Sequence, residues 1–428
     1  MYVCGPTVDD LPHIGHGRMA LVWDVLRRYL EWTGLDVRFV SNITDIDDKI
    51  IRRAVQEERT SEEVAVQYEG AWYHAIDALG VKRPTVDPHA TAYVDHMVDL
   101  IAGLIAAGKA YETSDGVYLS VDAVPGYGLL ARQSLDSLRS GARVDVVEEK
   151  RSPLDFALWK RAKPGEPTWP APWGDGRPGW HTECVVMSLD LLGEDFDLHG
   201  GGIDLAFPHH ENERAQAVAA GRTFARRWAH NGHVQMAGEK MSKSLGNITN
   251  LTDLLAAVDP RTYRLVVLQS HYRAPVEVTG VTLDAATSTL AGLDAFARRA
   301  AEVPAAAADE GALERFRTAM DDDLDTPRAM AEMLTRVKTA NTALDAGDTA
   351  AAASHAAAVR EMADAVGLVL RTGADDIPPE IAELVRDRDA ARAARDYAAA
   401  DGVRDRLEGL GWAVEDTPRG TRVHRKDT

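Results

Sequence analysis

The sequence predicts an α/β fold: a Rossmann-like parallel sheet carrying an insertion, followed by a helical bundle and a small C-terminal domain. Three observations predict it. Residues 1 to about 60 read as strand, helix, strand, the opening of a parallel sheet. A hairpin pattern then breaks into helical stretches after residue 109. Past residue 280 the chain becomes alanine-rich, and alanine has the best helix propensity, so a bundle is expected there rather than disorder.

Each element has its local reason. Tyr2-Val3-Cys4 is a short apolar strand, and Gly5, Pro6 and Pro12 make the following stretch a turn. Leu21, Val22, Val25, Leu26, Tyr29 and Leu30 recur at three- and four-residue spacing, a helix stopped by Gly34. Residues 37–40 and 42–48 read as the next extended segments, and 61–79 and 91–107 as helices. Residues 110–113 and 117–120 form a hairpin about Ser114-Asp115-Gly116. Residues 127–146 are loop-rich and belong to the insertion, while the Pro, Gly and Trp of 164–178 mark a fixed irregular segment, because its aromatics need burial. The sheet is expected to resume at 196–199, with a helix over 210–220. The stretch 371–379 reads as a linker, and beyond it come an Arg- and Asp-rich helix pair and a short hairpin at 412–416 and 421–423. The expected domains are 1–275 with an insertion at about 85–175, a bundle over 276–370, and a terminal unit over 377–428.

Composition narrows the class of protein. The chain has 428 residues, long enough for two to four domains, with 45% hydrophobic and 27% charged residues. No apolar run is long enough to span a bilayer, and no basic-then-apolar leader opens the chain. Two cysteines, Cys4 and Cys184, exclude a disulfide framework and point to a reducing cytoplasmic setting, with metal binding, catalysis or core packing as their roles. The net charge of −19 governs solubility; nucleic-acid affinity depends on where the cations cluster, and the tail carries Arg419, Arg422, Arg425 and Lys426.

Two peptides carry phosphate chemistry. His13-Ile14-Gly15-His16 opens the first helix, where unpaired backbone N–H groups face an anion; Gly15 allows close approach, and His13 and His16 can donate to phosphate oxygens. Lys240-Met241-Ser242-Lys243-Ser244 places two ammonium groups on a segment ending in Gly246-Asn247, suited to neutralising charge that builds on departing pyrophosphate. A second set is Cys4, Cys184, His209 and Glu213. His209 and Glu213 are four apart on one helix face, and two thiolates, an imidazole and a carboxylate suit tetrahedral zinc. Spacing leaves His210, His181 and His199 as alternative ligands, and leaves open plain core cysteines beside a surface His/Glu pair.

The two signature peptides, in this order, resemble the class I aminoacyl-tRNA synthetases. Met1-Tyr2-Val3-Cys4-Gly5-Pro6-Thr7-Val8, Asn42-Ile43-Thr44-Asp45-Ile46-Asp47-Asp48-Lys49-Ile50, Gly179-Trp180-His181-Thr182-Glu183-Cys184 and Phe207-Pro208-His209-His210-Glu211-Asn212-Glu213 are similar to the cysteinyl-tRNA synthetase family. So is Asp155-Phe156-Ala157-Leu158-Trp159-Lys160 with Lys163-Pro164-Gly165-Glu166-Pro167; the likeness runs from Met1 to the tail and is weakest in the alanine-rich bundle.

The resemblance implies one zinc ion per chain on Cys4, Cys184, His209 and Glu213, with substrate cysteine bound to it through sulfur. A pocket cannot reject serine, one atom different, by shape alone, whereas zinc favours a thiolate over a hydroxyl, so no editing domain is required. It further implies Lys243 on the ATP phosphates with Lys240 beside it, and Asp204 on the ribose or, equally, capping a helix. Gly5, Thr7 and Thr44 would line the amino-acid pocket, with Trp180 over it or in the core; Asp47 and Asp48 are expected to cap a helix or form a salt bridge. The partners implied are L-cysteine, ATP with Mg²⁺ and tRNA(Cys), with the bundle and tail holding the tRNA, no membrane, and a monomer.

Two departures stand out: the chain starts one strand-turn later than is usual for the family, which is expected to expose a sheet edge or pocket wall, and Asp9 replaces an aromatic. Three other readings compete: a ligase joining cysteine to an amino-sugar, as in mycothiol synthesis; a non-catalytic RNA-binding relative; and an intact site on a chain too short at its start to fold stably. The unit beyond Pro379 speaks against the amino-sugar ligase, and the complete set of ATP and zinc residues against the RNA-binding relative.

Overall fold

The computed structural model describes residues 1–132, 149–236, 239–240, 250–372, 379–417 and 420–425. Its first strand, β1 (Tyr2–Val3), is fully buried, and the chain turns through Gly5 and Pro6 into α1 (Ile14–Trp32). That helix ends where the periodicity stops, with Gly34 in the left-handed region. β2 is only Val40–Ser41. Residues 37–39 add no ladder, and residues 42–48 contribute single parallel bridges, Ile43 to His89 and Thr44 to Thr7, before α2 (Asp48–Gln56). Asp47 caps α2 by accepting from the Lys49 N–H at 2.8 Å. Asp48 binds Lys160 at 2.5 Å and also Arg177, so both sequence readings of this pair are present, one on each residue.

α3 (Ser61–Ala78) opens with a Thr60/Glu63 capping box, and α4 (Val94–Ala106) leads into an antiparallel insertion. Its strands are β3 (Ala110–Thr113), β4 (Gly116–Leu119), β5 (Phe156–Arg161) and β6 (Gly176–Pro178), paired in chain order. Trp159 and Trp173 meet edge to face at 6.0 Å, and the Trp159 indole donates to Gly174 O, which fixes the irregular proline-rich stretch. α5 (Trp180–Leu192) carries the second cysteine, β7 (His199–Gly202) returns to the parallel sheet, and α6 (Glu211–Ala219) follows a wide turn over Ala206–His210. β8 (Trp228–Asn231) completes the order β2-β1-β7-β8, all parallel. β1 therefore has a neighbour on each side, and the edge strands of the sheet are β2 and β8.

The strand expected at 196–199 lies three residues later. Gly200-Gly201-Gly202 reads as loop because it lacks side chains, yet a parallel ladder needs only backbone. Gly200 is required for another reason: a Cβ there would come within 2.5 Å of the Trp23 ring. Next come β9 (Val234–Met236), β10 (Glu239–Lys240), α7 (Leu251–Ala257) and, beyond α8 (Pro260–Leu268), the strand β11 (Val276–Glu277).

The chain divides into two compact units: Met1–Ala256 with Ser270–Thr279, and Ala257–Gln269 with Gly280–Thr428. The second contains α8, α9 (Gly280–Ala300), α10 (Glu310–Asp321), α11 (Thr326–Asp345) and α12 (Thr349–Ala365). Alanines pack its core, among them Ala352, Ala356 and Ala363, and buried Arg264 donates to Val366 O at 3.1 Å. α13 (Pro379–Ala393) and α14 (Tyr397–Gly409) pack with the hairpin β12 (Trp412–Thr417) and β13 (Gly420–Arg425) around Ile381, Leu384, Leu407, Trp412 and Val423. The linker at 373–378 and the tail cations Arg419 and Lys426 lie outside the described residues. Among the described residues no helix is long and apolar enough to cross a membrane.

Candidate active site and metal centre

The first signature peptide builds a helix cap out of imidazoles. His13 is the N-cap of α1; its Nδ1 accepts from the His16 N–H at 3.3 Å, and His16 Nδ1 accepts from the His13 N–H at 3.2 Å. The two rings stack at 3.7 Å. With both Nδ1 atoms accepting, each ring carries its proton on Nε2, as a donor rather than an acceptor. The sequence therefore uses histidine where a Ser/Glu box is usual, closing the helix end and presenting two N–H donors at once.

His13, Gly15 and His16 line a cavity of about 680 Å³ at the carboxyl end of the parallel strands, where open α/β sheets bind ligands. Gly5, Thr7, Asp9, Trp180 and Asp204 line the same cavity. Gly5 has no alternative: a Cβ would sit 1.6 Å from Asn42 O. Asp204 does not cap a helix, since the cap positions of the two adjoining turns are Gly202 and Leu205 and neither has a side-chain cap bond; its carboxylate is exposed, 4.0 Å from His233 Nδ1. Trp180 is not a core residue either: it is 36% exposed and stacks on His209 at 4.0 Å. Thr44 lies one layer behind the cavity. Its hydroxyl donates to Glu183 Oε2 at 2.9 Å and accepts from Asn42 Nδ2 at 3.1 Å, while Asn42 Oδ1 accepts from the Gly5 N–H at 2.9 Å.

Of the second signature, Lys243 lies outside the described residues and Lys240 stands on β10, its backbone paired with Gln235. Asn250, where the described chain resumes, bridges His13, and the Leu251 N–H donates to Pro12 O at 2.8 Å. Sequence reading missed Asn250, Asn231 and Lys49, which also line the cavity. For Lys49 a signal existed: it occupies the second position of α2, where the helix dipole favours an anion and disfavours a cation.

The scattered ligand candidates converge around Cys4, the one of the four that lines the cavity. Cys4 follows β1, Cys184 comes from the second turn of α5, His209 from the turn into α6 and Glu213 from α6 itself; all four are buried and their ligand atoms lie within 4.8 Å of one another. Tetrahedral zinc with Zn–S of about 2.3 Å and Zn–N of about 2.0 Å requires S···S of about 3.8 Å and S···N or S···O of about 3.6 Å. The observed separations are 3.7 Å for Cys4 to Cys184, 3.6 Å for Cys184 to His209 Nε2 and 3.5 Å for Cys4 to Glu213 Oε1. His209 Nε2 to Glu213 Oε1 is 3.1 Å. These donors fit the metal.

A second set, Cys4, His199, His210 and Glu213, shares two of these residues. His199 Nε2 is 3.0 Å from Glu213 Oε2 and His210 Nε2 is 3.4 Å from Cys4 Sγ. On the far side of His209, Nδ1 meets His181 Nδ1 at 2.8 Å, a contact that orients the ring. Burial pushes the Cys4 and Cys184 thiols up and the His209 and His210 imidazoles down. It also lowers His181 to about 3 and His230 to about 4. The imidazoles are thus neutral, as ligands must be, while the thiols need a cation to lose their protons.

Residues 1–288 match the family described as tRNA synthetases class I (C) catalytic domain, and residues 315–371 match the DALR domain. By fold the chain is similar to the Mycobacterium tuberculosis methionyl-tRNA synthetase in complex with methionyl-adenylate, with a TM-score of 0.64, 17% identity and coverage of 93% of this chain and 96% of that one. It is also similar to an Agrobacterium radiobacter LeuRS in a ternary complex with tRNA and LeuAMS, at a TM-score of 0.63, 11% identity and coverage of 86% and 83%. Sheet, signature helix and cavity together define a class I aminoacyl-tRNA synthetase.

The nearer relatives refine this. The chain is 48% identical to the cysteine–tRNA ligase of Halorhodospira halophila, over 99% of this chain and 94% of that protein. It is 45% identical to the cysteine–tRNA ligase of Pectobacterium carotovorum, over 100% and 95%. The chain belongs to the cysteine–tRNA ligase family.

Proposed function

We propose that this chain joins L-cysteine to tRNA(Cys) in two steps at the cavity described above. The observation that carries the reading is the convergence of Cys184, His209 and Glu213 on Cys4, which lines the same cavity as His13 and His16. In the first step the cysteine carboxylate attacks the α-phosphorus of ATP, forming cysteinyl-adenylate and releasing pyrophosphate. In the second, the terminal ribose hydroxyl of the tRNA attacks the activated carbonyl and AMP leaves. No protein nucleophile is needed, so catalysis is positioning and charge stabilisation.

The residues divide this work. The Nε2–H groups of His13 and His16 and the N-terminus of α1 donate to phosphate oxygens, Gly15 lets the phosphates come close, and Asp204 accepts from the nucleotide ribose. Lys240 and Lys243 neutralise the charge that grows as pyrophosphate departs, with Mg²⁺ accompanying ATP. Gly5 and Thr7 form the wall against the amino acid and Trp180 covers it, while Thr44 braces that wall through Asn42. Cys4, Cys184, His209 and Glu213 would hold one zinc ion, with His181, His199 and His210 orienting them. Zinc bound there supplies a thiophilic Lewis acid that takes a thiolate and leaves a serine hydroxyl unselected. The pair of thiolates favours this set over the one that omits Cys184.

The helices of the second unit and the α13–β13 terminal unit would receive the tRNA, the chain would act as a monomer, and two free buried thiols suit a reducing cytoplasm. Cysteine-dependent ATP–pyrophosphate exchange tests the first step. Charging of tRNA(Cys) against ligation to an amino-sugar tests the second. Exchange with cysteine followed by tRNA charging is expected; ligation to the sugar alone would overturn the acceptor, and no exchange would overturn the enzyme.

A further inference from the structure

Arg18 sits on α1, one and a half turns past His13, and is 1% exposed. It is not among the residues that line the cavity. It reaches across to the later half of the parallel fold and donates to four backbone carbonyls: His233 at 2.6 Å, Tyr272 at 3.2 Å, His271 at 3.5 Å, and Ala274.

Three of those carbonyls already accept a backbone N–H. Val276 donates to His233 O at 3.0 Å, Gly232 to Tyr272 O at 2.8 Å and Ala274 to His271 O at 3.0 Å. The guanidinium is therefore an added cross-link, not the repair of unsatisfied groups. A buried cation is costly, and an apolar side chain of similar volume would fill the space at lower cost, so stability alone does not call for arginine here. A planar fork fixes direction as well as distance, which an ammonium does not.

What the fork fixes matters for chemistry. Asn231, Gly232, His233 and Val234 line the same cavity as His13 and His16. The same stretch continues as β9, which pairs with β10, and Lys240, the first residue of the second signature, ends β10. Gly232 admits no side chain, because a Cβ there would meet Ala274 O at 2.5 Å. We infer that Arg18 is a positioning residue for adenylate formation: it locks the cavity wall at Asn231, Gly232, His233 and Val234 to the helix that carries the first signature, so that both meet one nucleotide. This rests on the reading that the cavity takes ATP.

The test uses the full chain with Arg18→Lys and Arg18→Ala, reading cysteine-dependent ATP–pyrophosphate exchange, zinc per chain and the melting temperature. The expected result for Arg18→Lys is a fall in kcat of roughly ten- to a hundredfold, since one misplaced phosphate grip costs that much. KM for cysteine and zinc content should stay within about twofold of the parent. Millimolar guanidinium should restore part of the rate of Arg18→Ala and none of any other variant. Unchanged kcat in Arg18→Lys with only a lower melting temperature would overturn the inference, as would a parallel loss of zinc and cysteine binding. An unaltered protein that shows no exchange at all would instead remove the ATP reading beneath it.

Discussion

Replacing Thr44 by valine keeps its shape and removes one hydroxyl. That hydroxyl is buried and bonded on both sides, donating to Glu183 at 2.9 Å and accepting from Asn42 at 3.1 Å. Without it, a buried amide N–H and a buried carboxyl oxygen lose their partners, at about 1–3 kcal/mol each. Allowing for relaxation, the loss is about 2–4 kcal/mol. In a unit of this size each kcal/mol lowers the melting temperature by roughly 2 °C, so a fall of about 4–8 °C is expected. Thr44→Ser keeps the hydroxyl and deletes a methyl, which costs about 1 kcal/mol and about 2 °C. Calorimetry on both variants separates the two contributions. Because Asn42 also holds the Gly5 N–H at 2.9 Å, the valine variant should bind cysteine more weakly while the serine variant binds it normally. Equal melting temperatures for valine and serine would refute the bonded chain; weak cysteine binding in both would mean that Thr44 touches the substrate directly.

Gly5→Ala forces a Cβ to within 1.6 Å of Asn42 O, so it should cost more than about 4 kcal/mol or abolish soluble expression; a stable, active variant would show that the cavity floor is built otherwise. His181 and His230 are held neutral by burial, at about 3 and about 4. Their folded values lie below the unfolded 6.5, so the stability they contribute is complete above about pH 6.5 and is lost as the pH falls, by up to about 1.4 kcal/mol per unit for each ring. Metal-free protein should therefore melt progressively lower from pH 6.5 to pH 5, and a flat profile would contradict their burial as neutral rings. Lys243→Ala should slow exchange by roughly a hundredfold or more with zinc content intact; loss of zinc would place that lysine elsewhere.

Much of this was legible in the residues. Gly34, the apolar spacing after Ile14 and the Ser114-Asp115 turn were enough for α1 and the β3–β4 hairpin, because local sterics decide those features. Cys4, Cys184, His209 and Glu213 could be nominated by donor chemistry, but their convergence depends on long-range pairing of β1 with β7 and on where α5 and α6 dock. The three-glycine strand β7 was misplaced because glycines carry no side-chain periodicity, and the ring that requires Gly200, Trp23, is far away in sequence. The same limit hid Thr44's bond to Glu183 and the reach of Arg18: both are contacts between distant segments, with no periodic trace. Lys49 is different, since a cation at a helix N-terminus is a local anomaly that sequence reading can catch.

The most direct test is to count zinc in the purified, unaltered protein by mass spectrometry, beside Cys184→Ala prepared identically. Four buried donors spaced as a tetrahedral site demands should retain one ion per chain, and the alanine variant should retain none. A parent protein free of zinc, or an alanine variant that keeps its full complement, would contradict the account of how this chain chooses its amino acid.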